Sequence, residues 1–251
     1  MSSEIEMSTG SAKNERELFV ASDIQSIPIF ELRPMCSNFI EWLMAIVLFK
    51  VCRMKPPVEF ASETRRMVRI EAEQVPKRVM KYFDQLKPKL EEMGFHVNYY
   101  ATVPAIGPIA IAVMTMSSES GKCHFFAVRA VIKTANNQIM EDGHFGFGSQ
   151  LPNDGSLLTI SKAKLPKPRP GVEREMINTS DPAVVLREHR NRMKDQPVIN
   201  TPASELVEHA RRQNLLECED LLARRVIRPA TPSEIQRIAR RHPGGADQRQ
   251  R

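Results

Sequence analysis

The stretch Val79-Met80-Lys81-Tyr82-Phe83-Asp84-Gln85-Leu86-Lys87-Pro88-Lys89-Leu90-Glu91-Glu92-Met93-Gly94-Phe95-His96-Val97 decides the fold, because the apolar period changes inside it. Val79, Phe83, Leu86, Leu90 and Met93 recur every three or four residues, one apolar stripe on a helix that must face a core. Pro76 opens that helix, Pro88 kinks or interrupts it, and Gly94 supplies a left-handed stop. Upstream, Ser62 reads as the N-cap of a longer helical stretch over 62–93.

After Gly94 the period is two. The pattern predicts strands over 95–102, 108–117, 122–134, 138–148 and 156–164. Turn residues separate most of them: Pro104 to Pro108, Ser118-Glu119-Ser120-Gly121, Asn136-Asn137 and Pro152-Asn153-Asp154-Gly155. Links this short favour an antiparallel meander, since parallel neighbours need long crossovers. In the third strand His124, Phe126, Val128, Ala130 and Ile132 share one face, with Arg129 and Lys133 on the other. The expectation is a sheet with one wet side and the helix of 76–93 on the side of Phe126 and Val128. The fold class is therefore α+β: a five-stranded antiparallel meander packed on a long helix, with an N-terminal apolar helix and a C-terminal helical tail.

Working outward, residues 1–34 read as a disordered N-terminal segment, and no cleavable signal peptide is expected there, since residues 1–18 are Ser- and Glu-rich without an apolar stretch behind a basic start. Residues 35–56 hold a dense apolar run, Phe39-Ile40-Glu41-Trp42-Leu43-Met44-Ala45-Ile46-Val47-Leu48-Phe49-Lys50-Val51, which Pro56-Pro57 end. Residues 57–165 form the helix-plus-sheet domain. Residues 166–251 form a Pro- and Lys-rich linker and a basic helical tail, with helix starts at Asp181-Pro182, Thr201-Pro202 and Thr231-Pro232. The last residues, 240–251, are expected to fray.

The chain of 251 residues carries 41% hydrophobic and 26% charged residues, a balance that excludes a wholly disordered protein. Its net charge of +6 favours acidic partners mildly. Four widely spaced cysteines without a CxxC pair suit a reducing compartment.

As a helix the apolar run is roughly 20 Å long, against about 30 Å of hydrocarbon. It reads as a helix lying in or inserted into a membrane, as a buried core helix, or as an oligomer interface. In the membrane reading Phe39, Trp42, Leu43, Ile46, Val47 and Phe49 contact lipid, and Glu41 sits near one end, beside Trp42, within reach of the interface. Basic residues downstream (Arg53, Lys55, Arg65, Arg66) would place the C-terminal bulk in the cytoplasm; the alternative is a wholly cytoplasmic protein. Cys36 and Cys52 flank the run as acylation candidates or as idle thiols.

Reactive constellations are sparse. Asp142 and His144, two apart on a strand, are the one acid–imidazole pair, and no activated nucleophile accompanies them. Gly143, Gly146 and Gly148 do not follow the dinucleotide fingerprint. Cys123 and His124 point to opposite faces of a strand, so they cannot share a metal. No catalytic residue, metal or cofactor is assigned. Arg224, Arg225, Arg228, Arg237, Arg240 and Arg241 form a candidate basic face for nucleic acid, with helix-end cations on a solvated face as the plainer account.

Met93-Gly94-Phe95, Phe147-Gly148-Ser149, Asp154-Gly155, Leu158-Thr159, and a helix bearing Leu186 and His189 give residues 83–192 a resemblance to bacterial membrane-tethered proteins of unassigned activity. Many of these carry a hydrophobic segment before the domain. The resemblance implies membrane association and supplies no catalytic residues. The expected function is a non-enzymatic membrane-associated domain that binds a protein or apolar ligand. The alternative is a soluble basic adaptor whose C-terminal helices bind nucleic acid.

Overall fold

The computed structural model describes residues 19–21, 27–53, 60–63, 66–133 and 138–242. The turn expected at Asn136-Asn137, the Pro56-Pro57 stop, Lys55, Arg65 and most of the 1–34 segment lie outside these residues, as does the tail from 243 onward.

The fold is mixed α+β. The strands are β1 Val20–Ala21, β2 Ala61–Ser62, β3 Val68–Ile70, β4 Phe95–Thr102, β5 Ala105–Ile106, β6 Ile109–Ser118, β7 His124–Lys133, β8 Ile139–Gln150, β9 Ser156–Ser161, β10 Val172–Ile177 and β11 Arg228–Pro229. The helices are α1 Ile29–Leu32, α2 Phe39–Ala45, α3 Lys77–Glu92, α4 Pro182–Met193, α5 Leu206–Ala223 and α6 Pro232–Arg241. One sheet has seven strands in the order β10-β9-β8-β7-β6-β4-β3, and a smaller one has four, β11-β1-β2-β5.

The expected five-strand meander is thus too small. Its five strands occupy the middle of the larger sheet, all antiparallel. β3 extends it on one side, and β10 joins β9 in parallel on the other. Both additions come from segments read as something else. Ser62 is strand rather than helix cap, so the helix expected over 62–93 shortens to Lys77–Glu92, continuous through Pro88. The segment read as linker contributes β10, and a parallel partner leaves no hairpin signature in sequence. The N-terminal segment read as disordered contributes β1, one of the two inner strands of the small sheet, with Val20 and Ile27 buried.

Turn chemistry worked locally as read. Gly94 takes φ +83° behind α3, and Asn153 and Asp154 take φ 57° and 59° in the two-residue turn that joins β8 to β9. Asp181 and Thr231 cap α4 and α6, and Thr231 closes a capping box with Glu234. Thr201 does not start a helix: it is buried and donates to Gln150 Oε1 at 2.7 Å, while α5 begins at Leu206.

Which face the helix covers is the main correction. α3 packs with Phe125 and Ala127, the face that also carries Arg129, not with Phe126 and Val128. β7 is apolar on both faces over most of its length, so Arg129 and Lys133 misassigned the wet side. Arg129 is accommodated because its guanidinium lies 4.7 Å from the centre of the Tyr82 ring and pairs with Glu141. α4 covers the same face as α3.

The opposite face is covered in part by α5. Leu206 packs with Tyr99 and Ala101, His209 meets the His124 ring at 6.3 Å, and Gln213 receives Ser156 Oγ at 3.0 Å. A helical tail on the surface is therefore not what residues 182–223 form; α4 and α5 sandwich the sheet.

Glycines in β8 let large side chains of β7 lie across it. Gly146 faces Phe126, and a Cβ there would stand 2.6 Å from the Thr159 carbonyl oxygen and 2.9 Å from Phe126 Cζ. Gly146→Ala is expected to cost about 1–3 kcal/mol, a drop of roughly 3–8 °C in Tm by thermal melting. An unchanged Tm would mean that β9 yields without strain.

Candidate functional site

The apolar run is helical but not interior. Asn38 caps α2 by accepting from Glu41 N–H at 2.8 Å, and Glu41 in turn accepts from Ser37 N–H at 2.8 Å. From Ile46 to Val51 the helix continues as a π-helical turn that closes with Cys52 N–H on the Val47 carbonyl. A short segment, α1 plus a 3-10 turn at Arg33–Met35, folds back beside it. Trp42 Nε1 donates to the Ile29 carbonyl at 3.1 Å across this hairpin, and Phe39 packs on Trp42 with ring centres 5.4 Å apart.

The hairpin is rooted in the domain by charge. Glu31, 2% exposed, binds Arg224 Nη1 at 2.6 Å, and Arg224 also holds Asp220 and the Lys167 carbonyl. Glu41 accepts from Lys164 Nζ at 3.1 Å. The backbone N–H of Ser37 first, and Lys164 second, hold the Glu41 carboxyl below its usual range.

What the hairpin does not do is hide its outer face. Phe39, Ile40, Leu43, Met44, Val47 and Val51 lie exposed in one stripe, with Ile40 at 70% and Val51 at 71%; Phe30 of α1 adds 72%. Of the residues assigned to lipid contact from the sequence, Phe39, Leu43 and Val47 are in the stripe. Trp42, Ile46 and Phe49 turn the other way and are half-buried. Ile40, Met44, Val51 and Phe30 were missed, although stepping 3.6 residues per turn from Phe39 places Ile40 and Met44 beside Leu43. Along one edge of the stripe, Leu32, Met35, Ile40, Met44, Leu48 and Phe49 line an open apolar groove of about 550 Å³. No helix among the described residues is long and apolar enough to cross a membrane.

The six arginines are not one face. Arg224 is committed to Glu31 and Asp220, and Arg228 makes two bonds to Glu234 at 2.8 and 2.6 Å. Arg225 ends α5 at φ 60°, and Arg237, Arg240 and Arg241 lie exposed on α6.

A polar cluster that sequence reasoning did not assemble lies under α4. His189 is fully buried; its Nε2 lies 2.9 Å from Ser149 Oγ and its Nδ1 3.0 Å from Thr159 Oγ1. Ser149 has one hydroxyl hydrogen and donates it to the Lys122 carbonyl at 2.6 Å, so it can only accept from the ring. Nε2 therefore carries the proton. Nδ1 accepts from Thr159, whose oxygen accepts from Arg192 Nη1 at 2.9 Å. The chain Arg192 to Thr159 to His189 to Ser149 to Lys122 runs donor to acceptor throughout.

This order is wrong for nucleophilic catalysis, in which the ring nitrogen facing the serine must be unprotonated to accept its hydrogen. Burial first, then the neighbouring His124 and Arg192, push the His189 pKa down to about 3, so the ring stays neutral. His189 is a clamp between α4 and the sheet.

The remaining candidates are also quiet. Asp142 turns its Oδ1 to the Gly143 N–H at 2.8 Å, and His144 lies against Phe126 with its pKa lowered mainly by burial. Burial raises the Cys123 thiol to about 12, which removes it as a thiolate. Among the described residues no group of three or more His, Cys, Asp or Glu is placed to hold a metal. No family model, curated protein or solved structure matches this chain.

Proposed function

We propose that this protein is a membrane-associated domain that lies on its bilayer through the α1–α2 hairpin, with the body of the chain on the cytoplasmic side. The single observation behind the reading is the exposed apolar stripe of α2 on a segment rooted at its base by Glu31 and Arg224. Contiguous exposed apolar surface at a soluble protein's periphery marks a partner or a membrane. A helix of this length and one-sidedness suits the interfacial plane, where its apolar face sinks about 5–10 Å into the headgroup and acyl boundary. The open groove beside Leu48 and Phe49 offers room for an apolar ligand at the same place.

Co-sedimentation of the full chain with lipid vesicles tests the reading. The wild-type protein is expected in the vesicle pellet. Ile40→Ser, at a site 70% exposed, is expected to weaken binding about tenfold without changing the thermal melt. Wild-type protein that stays in the supernatant at low salt with every vesicle composition rules the reading out.

A further inference from the structure

The apolar stripe has a basic border. At 100° per residue, Glu41 lies roughly 130° around α2 from the middle of the stripe, where an interfacial helix meets the headgroups. Lys164 is drawn to that border by Glu41. Lys164 belongs to the stretch between β9 and β10, in which Lys162, Lys164 and Lys167 are all exposed. The far end of that stretch is pinned where the Lys167 carbonyl accepts from Arg224 Nη2 at 2.7 Å, and the same guanidinium holds Glu31 of α1. The lysine-bearing stretch therefore runs beside the hairpin. Arg33 is exposed at the hairpin's bend, and both Arg33 and Lys164 act electrostatically on the Cys36 thiol between them. Glu31 and Asp220 are held by Arg224, and Glu41 by Lys164.

Resting on the membrane reading above, we infer that the surface bound is anionic: lipid headgroups bearing net negative charge meet Arg33, Lys162 and Lys167 while Phe39, Ile40, Leu43 and Met44 enter the acyl boundary. A single apolar stripe of about four turns binds weakly by itself, and basic residues at its edge add a second, salt-sensitive attraction. Each cation near an anionic leaflet is worth about fivefold in affinity, and the gain disappears beyond a Debye length or at high salt.

The test uses the full chain with vesicles of phosphatidylcholine alone and of phosphatidylcholine with one third phosphatidylserine. Binding is expected to be about 25-fold tighter or more on the anionic vesicles at low salt, and to converge with the neutral ones in high salt. Arg33→Gln with Lys167→Gln is expected to lose about 25-fold on anionic vesicles and little on neutral ones. Ile40→Ser is expected to lose on both. Equal binding of wild type to the two vesicles overturns this inference and leaves the membrane reading standing. Binding to neither, by protein whose melt is cooperative, overturns both. So does a dimer that buries the stripe and ignores vesicles, since the occupant is then a second copy.

Discussion

His189→Ala lowers the free energy of unfolding by about 3–4 kcal/mol. The imidazole is fully buried, and its removal leaves a void beneath α4 of the kind that costs about 2–5 kcal/mol when a large side chain is cut to alanine. Two hydroxyls lose a partner as well: Ser149 its donor and Thr159 its acceptor. An unpaired buried polar group costs about 1–3 kcal/mol, and here the lower end applies, since Ser149 keeps the Lys122 carbonyl and Thr159 keeps Arg192. A water entering the polar void recovers part of the loss. Urea denaturation measures the difference. His189→Gln, which can still donate and accept, is expected to lose less than His189→Ala. A loss under 1 kcal/mol for the alanine variant would show that Val185, Leu186 and Arg192 hold α4 without the imidazole.

Stability falls by about 4 kcal/mol between pH 7 and pH 4.5, a window set by histidines rather than carboxylates. Burial depresses His189 to about 3, and it depresses His124, which also faces His209, to about 4. In the unfolded chain both rings take up protons near pH 6.5, whereas the folded rings stay neutral until the pH approaches their depressed values. The unfolded state thus binds more protons across this interval, so stability is full above pH 6.5 and declines as pH falls. Each ring contributes about 2 kcal/mol by pH 4.5, and His144 and His209, also lowered by burial, act in the same direction. Glu217, raised by burial, offsets part of this, because its folded carboxyl takes a proton early. Glu234, held at about 2 chiefly by Arg228, matters only below its ordinary range. Urea midpoints measured across the interval check the slope, and His189→Gln should flatten it by about half. A midpoint unchanged from pH 7 to 4.5 would contradict the assignment of neutral buried rings.

Several features were legible from residues alone because they depend on near neighbours in the chain. The stripe of Val79, Phe83, Leu86 and Leu90 is α3, and all four are buried. Gly94, Asn153-Asp154, Asp181 and Thr231 fix stops, turns and caps with atoms a few residues away. The five central strands follow from alternation and the turns between them. What failed were pairings without local warrant. β1, β2 and β3 are two or three residues long, too short for a period, and exist because a distant edge is there to bond them. β10 lies parallel to β9 through no turn signal.

The candidate site divides in the same way. Sequence marked the apolar run as unusual and left open whether a core would take it; the folded chain spends both sheet faces on α3, α4 and α5 instead, and the stripe of Ile40, Leu43 and Val47 stays outside. The clamp of Ser149, Thr159 and His189 was present only as scattered residues, since hydrogen bonds spanning 40 and 30 positions carry no periodic trace. By itself the sequence determined the stripe of α3, the five central strands and the caps of α4 and α6, because backbone sterics and side-chain alternation act over one or two turns of chain. Only the tertiary structure decided which face meets which helix. β7 is apolar on both sides, and the choice rests on packing and ion pairs between residues far apart, such as Arg129 on Tyr82 and Glu31 with Arg224.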